Sequence, residues 1–183
     1  MKKVDLSQYK NRLGLSNQIK RFFWNIVWAL FVRSLPRSTG NSWKIFLLRL
    51  FGARIHKTAK VYSSVKIYMP CNLVMKEYSC LAPEVDCYNV DKVTIGAHTT
   101  ISQKTYICTA SHNIYKSNNP LITAPITIND QVWVGASAFI GMGVIIGQGA
   151  VIGATASVFK NVESWSVYGG NPAKFIKKRK IND

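Results

Sequence analysis

Aliphatic residues recur at every sixth position over most of the chain, and this spacing constrains the fold more than any other feature. The repeating positions are Ile55, Val61, Ile67, Met75, Leu81, Cys87, Ile95, Ile101, Ile107, Ile128, Val134, Ile140, Ile146, Ile152 and Val158. A period of six does not match the 3.6-residue turn of an α-helix. Short strands joined by tight corners do match it, because each strand then points one aliphatic side chain into a narrow interior. The sequence therefore predicts a β-solenoid built from hexapeptide repeats.

The repeat is interrupted three times, and each interruption follows a third hexad. Two residues are inserted after the first three hexads (73–74), and two more after the next three (93–94). A longer segment, 113–127, follows the third set. If three hexads make one triangular coil, all three interruptions lie at the same corner. We therefore predict that 113–127 is a loop that protrudes from this corner, directly after His112 as the last residue of its coil.

The net charge of +16 is concentrated at the two ends of the chain. Residues 1–57 contain twelve Lys and Arg against Asp5 alone, residues 58–163 contain seven against six acidic residues, and residues 164–183 contain five against Asp183. This distribution favours separate anionic partners for the two ends over one continuous nucleic-acid-binding stripe, so no nucleic acid is expected as a partner. The four cysteines form no CxxC pair, and no secretory signal peptide is recognised. We therefore expect reduced thiols in a cytoplasmic protein.

Four stretches of the chain resemble one known family. They read "FLLRLFGARI", "VTIGAHTTISQKTYICTASHN", "LITAPITI" and "VYGGNPAKFI". Together they are similar to the colanic acid biosynthesis acetyltransferases, in the maltose/galactoside O-acetyltransferase branch of the hexapeptide family, and the resemblance covers nearly the whole chain. It implies an all-β fold, a single-stranded left-handed parallel β-helix over 55–163. A basic amphipathic helical extension over 1–54 precedes it, and a basic tail with a short C-terminal helix over 164–183 follows it.

The same resemblance implies an enzyme that transfers the acetyl group of acetyl-CoA to a sugar hydroxyl during exopolysaccharide assembly. Enzymes of this family are homotrimers, with active sites in the grooves between neighbouring subunits, and acetyl-CoA is their co-substrate. Two other functions stay open from the sequence. One is acetyl transfer to another small acceptor, such as serine or an antibiotic, and the other is a non-catalytic β-helix scaffold that binds a membrane.

The resemblance assigns the role of catalytic base to His112, which lies in "TASHN" directly before the predicted loop. An imidazole suits this reaction, because it exchanges protons near neutral pH and can take the proton of a hydroxyl that attacks a thioester. The alternative is a corner histidine that only hydrogen-bonds its neighbours. His56 and His98 fall at other hexad positions, so a three-histidine site is not predicted and no metal is expected.

Two acidic residues, Glu84 and Asp86 in "APEVDCYN", are candidates for binding the sugar acceptor. Acidic side chains are scarce in this part of the chain, so two within one hexad indicate contacts with sugar hydroxyls or orientation of the imidazole. Solvated charges on an outer face are the alternative. Ala82 stands where the family has a substrate-binding asparagine, and Glu84 or Asp86 would substitute for it.

The resemblance also implies which residues bind acetyl-CoA. Ala136 and Ala154, small residues on successive coils, match positions whose backbone groups contact the coenzyme. The matching aromatic and basic positions nearer the C-terminus are Phe159, Lys160, Lys174 and Lys177. Lysine ammonium groups attract the phosphates of the nucleotide. The alternative for the last two lysines is an ordinary solvated helix.

The N-terminal extension contains an apolar stretch with Lys and Arg on both flanks, "QIKRFFWNIVWALFVRSLPR". Its apolar part, from Phe22 to Val32, would span roughly 16 Å as a helix, which is too short to cross a bilayer. Such a segment can lie in a membrane interface, held by aromatic residues and basic charge. We predict peripheral association with the inner face of the cytoplasmic membrane, where a lipid-linked glycan acceptor would be found. Packing of the helices on the β-helix is the alternative.

Overall fold

The computed structural model of the protein describes residues 3–10, 13–36 and 39–182. The predicted extension 1–54 and the predicted tail 164–183 therefore include positions outside the described residues, namely 1–2, 11–12, 37–38 and 183. Two α-helices, α1 (Leu15–Phe31) and α2 (Asn41–Leu50), come first in the described part of the chain. Short 3-10 helices occur at Leu6–Gln8 and Pro70–Asn72.

The strands follow one another around a triangular solenoid. In chain order they are β1 (Arg54–Ile55), β2 (Lys60–Val61), β3 (Lys66–Ile67), β4 (Leu73–Met75), β5 (Cys80–Leu81), β6 (Asp86–Tyr88), β7 (Val93–Ile95), β8 (Thr100–Ile101), β9 (Tyr106–Cys108), β10 (Ala110–His112), β11 (Leu121–Thr123), β12 (Ile126–Ile128), β13 (Trp133–Val134), β14 (Phe139–Ile140), β15 (Ile145–Ile146), β16 (Val151–Ile152), β17 (Ser157–Val158), β18 (Ser166–Gly169) and β19 (Lys174–Lys178). The first side of the solenoid contains β1, β4, β7, β12 and β15, the second contains β2, β5, β8, β13, β16, β18 and β19, and the third contains β3, β6, β9, β14 and β17. Successive coils pair in parallel, as the six-residue period predicted.

The interior of the solenoid is filled by the repeating aliphatic residues. All fifteen hexad positions are buried, and none exposes more than 4% of its surface. The residue before each buried position is exposed or half-buried in most strands, as the period of two in a β-strand requires. Every coil therefore removes three apolar side chains from water, and this burial stabilises a stack whose strands are individually too short to be stable.

All three interruptions of the repeat lie at one corner, between the third and the first side, as the sequence predicted. They occupy 68–72, 89–92 and 109–125. The predicted bounds of the long loop, 113–127, are wrong. The chain leaves one coil after residue 108 and enters the next coil at residue 126. β10 pairs with β11 in an antiparallel hairpin, whereas residues 126 and 127 already belong to β12.

His112 is consequently not the last residue of a coil, as expected, but stands on a protruding hairpin. The parallel pairing of β9 ends at Cys108, opposite Tyr88. Ser111 lies four residues after Ile107, at a position where the preceding hexads place the buried residues Thr99 and Thr105, yet its side chain is exposed. The backbone turns away after Thr109, whose amide donates to the Tyr88 carbonyl oxygen at 3.2 Å. The six-residue spacing of small residues therefore extends two residues past the point at which the chain leaves the coil.

The two helices pack against the first coil. Trp24 and Trp28 of α1 are buried against the third side, where their indole nitrogens donate to the carbonyl oxygens of Ile67 at 2.7 Å and Val65 at 3.0 Å. α2 buries an apolar face at the same end of the solenoid and contacts β1 and β2. Within the described residues, no helix is long and apolar enough to cross a membrane.

The predicted short C-terminal helix is wrong, because the tail forms two antiparallel strands. β18 continues the second side by pairing with β16, and β19 pairs back along β18. The edge of the last coil presents unpaired backbone groups, and strand pairing satisfies them. Aromatic and branched residues also favour this arrangement, since the ring of Phe175 packs edge-on against Tyr168.

Candidate active site

His112 lies exposed on β10, where one hydrogen bond fixes the orientation of its ring. The Nδ1 atom is 2.7 Å from the carbonyl oxygen of Asn119, across the hairpin. A carbonyl oxygen can only accept, so Nδ1 carries the proton and donates it. Nε2 is then left with a free lone pair, and this is the atom that can take a proton from a substrate.

The hairpin that carries His112 is anchored at its base and at its tip. At the base, the Thr123 hydroxyl donates to the Asp91 carboxylate at 3.0 Å. At the tip, the Asp5 amide donates to the Ser117 carbonyl oxygen at 2.9 Å. The residues around the histidine are therefore held from two sides, which limits the positions that the imidazole can adopt.

Sequence analysis missed the contact between the N-terminal residues and this hairpin. The Tyr9 ring centroid lies 6.0 Å from that of His112, at an interplanar angle of 51°. The Asn118 side-chain amide also donates to the Gln8 carbonyl oxygen at 3.4 Å. No motif or periodicity links positions more than a hundred residues apart, so the sequence offered no signal for this contact.

Ala136 and Ala154 are stacked on successive coils, as predicted. Each follows a strand of the second side, and the Thr155 amide donates to the Ala136 carbonyl oxygen at 2.8 Å. Ala154 is exposed and Ala136 is half-buried. A Cβ atom at Gly135 would lie 2.6 Å from the Ala154 nitrogen, so this corner has no room for a larger residue there. The small residues keep the corner backbone accessible to a ligand.

Phe159, Lys160 and Lys174 line one pocket of about 320 Å³ at the end of the solenoid. Tyr168 and Pro172 complete its apolar walls, and no acidic residue lines it. The structure thus brings together three of the predicted coenzyme-binding residues, in surroundings that suit a phosphate group. Lys177 is exposed on β19, opposite Val167, and it does not line this pocket.

Glu84 and Asp86 line two adjoining grooves of about 460 and 540 Å³. Asp86 lies 3.6 Å from Lys66, an exposed ion pair. Glu84 sits at a corner with a φ of 62°, in the left-handed region that favours glycine. His112 lines neither groove. One copy of the chain therefore brings the two predicted acceptor residues near each other but does not join them to the predicted base.

An aromatic ladder on the outer face of the third side is a second feature that sequence analysis missed. It consists of Tyr68, Tyr88, Tyr106, Phe139 and Phe159, whose successive ring centroids lie 4.7, 6.3, 5.7 and 5.4 Å apart. Burial raises the pKa of the phenol groups of Tyr88 and Tyr106. The ladder joins the groove at Asp86 to the pocket at Lys160. A recurrence of aromatic residues once per coil was the signal for it in the sequence.

The described residues contain no group of three or more His, Cys, Asp or Glu side chains that could hold a metal ion.

Comparison with known proteins relates both the sequence and the fold to acetyltransferases. No protein-family profile matches the chain. The chain is 39% identical over 177 residues to a protein of Escherichia coli (strain K12) named "Putative colanic acid biosynthesis acetyltransferase WcaF", with 96% of this chain and 97% of the relative covered. The maltose O-acetyltransferase of Clostridium difficile 630 is a solved structure with 26% identity and a TM-score of 0.81, over 92% of this chain and 90% of the other.

A hexapeptide-repeat acetyltransferase of Vibrio cholerae has 25% identity and a TM-score of 0.81, over 92% of this chain and 95% of the other. That Vibrio protein has also been solved in complex with acetyl coenzyme A. These likenesses confirm the left-handed β-helix that the resemblance implied. Since the identity to the Escherichia coli protein extends over nearly the full length of both chains, the protein belongs to the hexapeptide-repeat acetyltransferase family that includes WcaF.

Proposed function

We propose that this protein transfers the acetyl group of acetyl-CoA to a hydroxyl of a sugar during the assembly of a surface polysaccharide. The observation that carries the proposal is the hydrogen bond from Nδ1 of His112 to the carbonyl oxygen of Asn119. It selects the ring tautomer in which Nε2 is a base, on an exposed residue beside the protruding loop. A histidine with only a structural role has no need to keep Nε2 unprotonated on an exposed side chain.

In the proposed reaction, Nε2 of His112 takes the proton of the sugar hydroxyl while the hydroxyl oxygen attacks the acetyl carbonyl carbon. A new C–O bond forms and the C–S bond of the thioester breaks. The proton passes from the imidazolium to the departing sulfur, which leaves as the CoA thiol. Such general base catalysis contributes about 10²–10⁴-fold in rate.

The pocket lined by Phe159, Lys160 and Lys174 supports a role in binding the phosphates of acetyl-CoA, with the Ala136 and Ala154 corner along the pantetheine arm. The complex of the Vibrio relative with acetyl coenzyme A supports this assignment. Lys177 is proposed as an outer cation that attracts the nucleotide without lining the pocket. The acceptor is proposed to contact Glu84 and Asp86, and the name of the Escherichia coli relative supports a polysaccharide sugar.

We further propose a homotrimer, because one copy of the chain does not bring His112 into either acceptor groove. In such an assembly a neighbouring subunit completes the site. The use of acetyl-CoA supports a cytoplasmic location.

An apolar face on the two helices supports peripheral membrane association. Its exposed side chains are Leu15, Ile19, Phe22, Phe23, Ile26, Leu30, Phe31, Trp43, Phe46 and Leu50. Lys20 is exposed on α1 next to Ile19, and its charge complements the negative surface of a bilayer that contains anionic lipids. This binding would place the enzyme beside a lipid-linked glycan.

The proposed function is tested by mass spectrometry of the surface polysaccharide from cells with and without the gene. Without the gene, we expect each modified sugar to lose one acetyl group, which lowers its mass by about 42 units. The wild-type gene should restore this acetyl group, whereas a His112→Ala gene should not. An unchanged polysaccharide would contradict the proposal. Release of CoA thiol by the purified protein with serine or an antibiotic, and not with sugars, would favour the other small acceptors.

A further inference from the structure

A groove of about 540 Å³ runs between α1 and the outer face of the third side. Its helical wall includes Arg21, Asn25 and Ala29, which recur at intervals of four residues and therefore share one face of α1. Arg33, two residues after the end of α1, continues this wall. The opposite wall is the outer surface of the first two coils. Its lining side chains there are Lys66, Tyr68, Asp86 and Tyr88.

The groove carries a surplus of positive charge. Arg21, Arg33 and Lys66 line it, against the single carboxylate of Asp86. Asp86 forms an ion pair with Lys66 at 3.6 Å. Because both side chains are exposed to solvent, this pair contributes little to stability. Arg33 forms no ion pair with any residue in the part of the chain that the structure describes. An anionic ligand would therefore meet cationic groups on both walls.

Arg21 is held in place for such a ligand. Its guanidinium donates to the Tyr68 hydroxyl at 2.6 Å and lies 3.8 Å from the centroid of the same ring. These two contacts occupy only part of its five N–H donors, so others remain available for oxygen atoms of a ligand. A fixed arginine loses little conformational entropy when it binds an anion.

The groove also offers surfaces that suit a sugar. Arg21 covers a face of the Tyr68 ring, and the half-buried Tyr88 ring stands edge-on to it with centroids 4.7 Å apart at 70°. Tyr88 therefore supplies the apolar surface on which a pyranose ring can pack. Burial raises the pKa of Tyr88, so its hydroxyl stays protonated and can donate a hydrogen bond. The Asp86 carboxylate and the Asn25 amide add an acceptor and a donor for hydroxyl groups. The volume lies within the range of small-molecule sites.

The groove is connected to the strand that leads into the catalytic hairpin. Asp86 of β6 pairs directly with Tyr106 of β9, and the chain continues from β9 to His112 of β10. Asp86, predicted from the sequence to bind the acceptor, therefore lies both in the basic groove and next to the coil that carries the base.

We propose that this groove recognises a diphosphate, so that the acceptor is a sugar attached to a diphosphate carrier rather than a free sugar. This inference rests on the proposed acetyl transfer to a sugar and names the class of acceptor. Arg33 and Lys66 contact the phosphate oxygens, whereas Arg21, at the Tyr68 end of the groove, and the tyrosine rings hold the sugar. Both a nucleotide and a polyprenyl lipid can supply the diphosphate.

The inference is tested by titrating the full-length protein with inorganic pyrophosphate, at a saturating concentration of CoA that occupies the pocket at Lys160 and Lys174. We expect Arg33→Gln and Lys66→Gln each to raise the Kd for pyrophosphate about tenfold, the loss of one charge-assisted hydrogen bond. Lys57→Gln is the matched control, because it removes an exposed lysine outside the groove. Its Kd should equal that of the wild type.

Two further titrations distinguish the sources of the diphosphate. Tighter binding of uridine diphosphate than of pyrophosphate supports a nucleotide-linked acceptor, whereas tighter binding of farnesyl diphosphate supports a lipid-linked one. An unchanged Kd in both Arg33→Gln and Lys66→Gln, with melting temperatures like the wild type, overturns the inference. His112→Ala should bind pyrophosphate normally while losing acetyl transfer, so failure of the groove and failure of the proposed function are seen separately.

Discussion

The Nδ1 atom of His112 lies 2.7 Å from the carbonyl oxygen of Asn119, so the protruding hairpin sets the tautomer of the residue it carries. The acceptor of this bond is a backbone atom, and no side-chain substitution at position 119 removes it directly. The hairpin fold itself positions the proposed base, and the anchors of the hairpin thereby become part of the catalytic arrangement.

His112→Ala is expected to lower kcat for acetyl transfer by about 10²–10⁴-fold, because the sugar hydroxyl is no longer deprotonated. The KM for acetyl-CoA should change little, since the pocket at Phe159 and Lys160 does not include the imidazole. Steady-state kinetics of thiol release measure both parameters. Tyr115→Ala is a suitable control in the same hairpin, because that side chain is 94% exposed. A near-normal kcat for His112→Ala would assign the histidine a structural role.

Lys160→Gln and Lys174→Gln are each expected to raise the KM for acetyl-CoA about tenfold, because each removes a charge-assisted contact to phosphate. Lys177 lies outside the pocket, so Lys177→Gln should have a smaller effect. Lys92→Gln removes an exposed lysine that does not line the pocket, so it should have no effect on the KM for acetyl-CoA. Equal KM values for the first two variants and the wild type would mean that the phosphates lie elsewhere.

Replacing Phe22 and Phe23 together by Ser should weaken binding to vesicles that contain anionic lipids. Both rings are more than half exposed, and burying one such side chain in the interface contributes about 1.5–3 kcal/mol. Salt should weaken the binding of the wild type, as screening reduces the attraction of Lys and Arg to the surface. Co-sedimentation with vesicles measures both effects, and Ile181→Ser is the control, since it removes an exposed apolar side chain outside the two helices. If the double variant bound vesicles as well as the wild type, the apolar face would have no membrane role.

Lys44→Met should stabilise the fold by about 1–2 kcal/mol at neutral pH. The side chain is 1% exposed, and burial, together with the nearby charge of Lys60, lowers the pKa of its ammonium group. The unfolded chain then binds more protons than the folded chain between the lowered pKa and the ordinary value, so wild-type stability rises with pH in that window. The advantage of Lys44→Met should shrink there. Thermal melting over a pH series checks this, and a destabilised variant would show that the ammonium group makes a favourable buried contact.

Sedimentation velocity at micromolar concentration should show three copies of the chain in one particle. The reason is that the two predicted acceptor residues and the predicted base are separate within one copy. Detergent above its critical micelle concentration is the appropriate control, because it covers the exposed apolar face and removes association through that face alone. A monomer in both conditions would contradict the site between subunits.

The sequence predicted the solenoid well because its signal is local and repeated. Each hexad places one aliphatic residue in the interior, and positions such as Ile101 and Ile152 are fully buried as the period requires. A second spacing, that of small residues, misleads at Ser111, which lies six residues after the buried Thr105 but is exposed because the chain has already left the coil. Periodicity gives the direction of a side chain within a repeat but does not show where the repeat ends.

The sequence pointed to members of the candidate site only where a short motif marks them. His112 follows from "TASHN", and Lys160 and Lys174 follow from stretches near the chain end. Contacts between distant segments left no trace in the sequence, as the approach of Tyr9 to His112 shows. The C-terminal helix was wrong because "AKFIKKRK" reads as a basic helix, whereas the free edge of β18 offers it a partner for strand pairing.

The single irregular corner of the solenoid has a consequence for how such proteins diversify. At the other two corners every turn is locked between the turns above and below, so an added residue there would break the backbone ladder. At the corner between β9 and β12 the chain has already accepted a seventeen-residue detour, 109–125, with the ladder intact on both sides. New lengths and chemistries can enter the molecule at that one place, beside the proposed base, without disturbing the coils that carry the proposed coenzyme pocket.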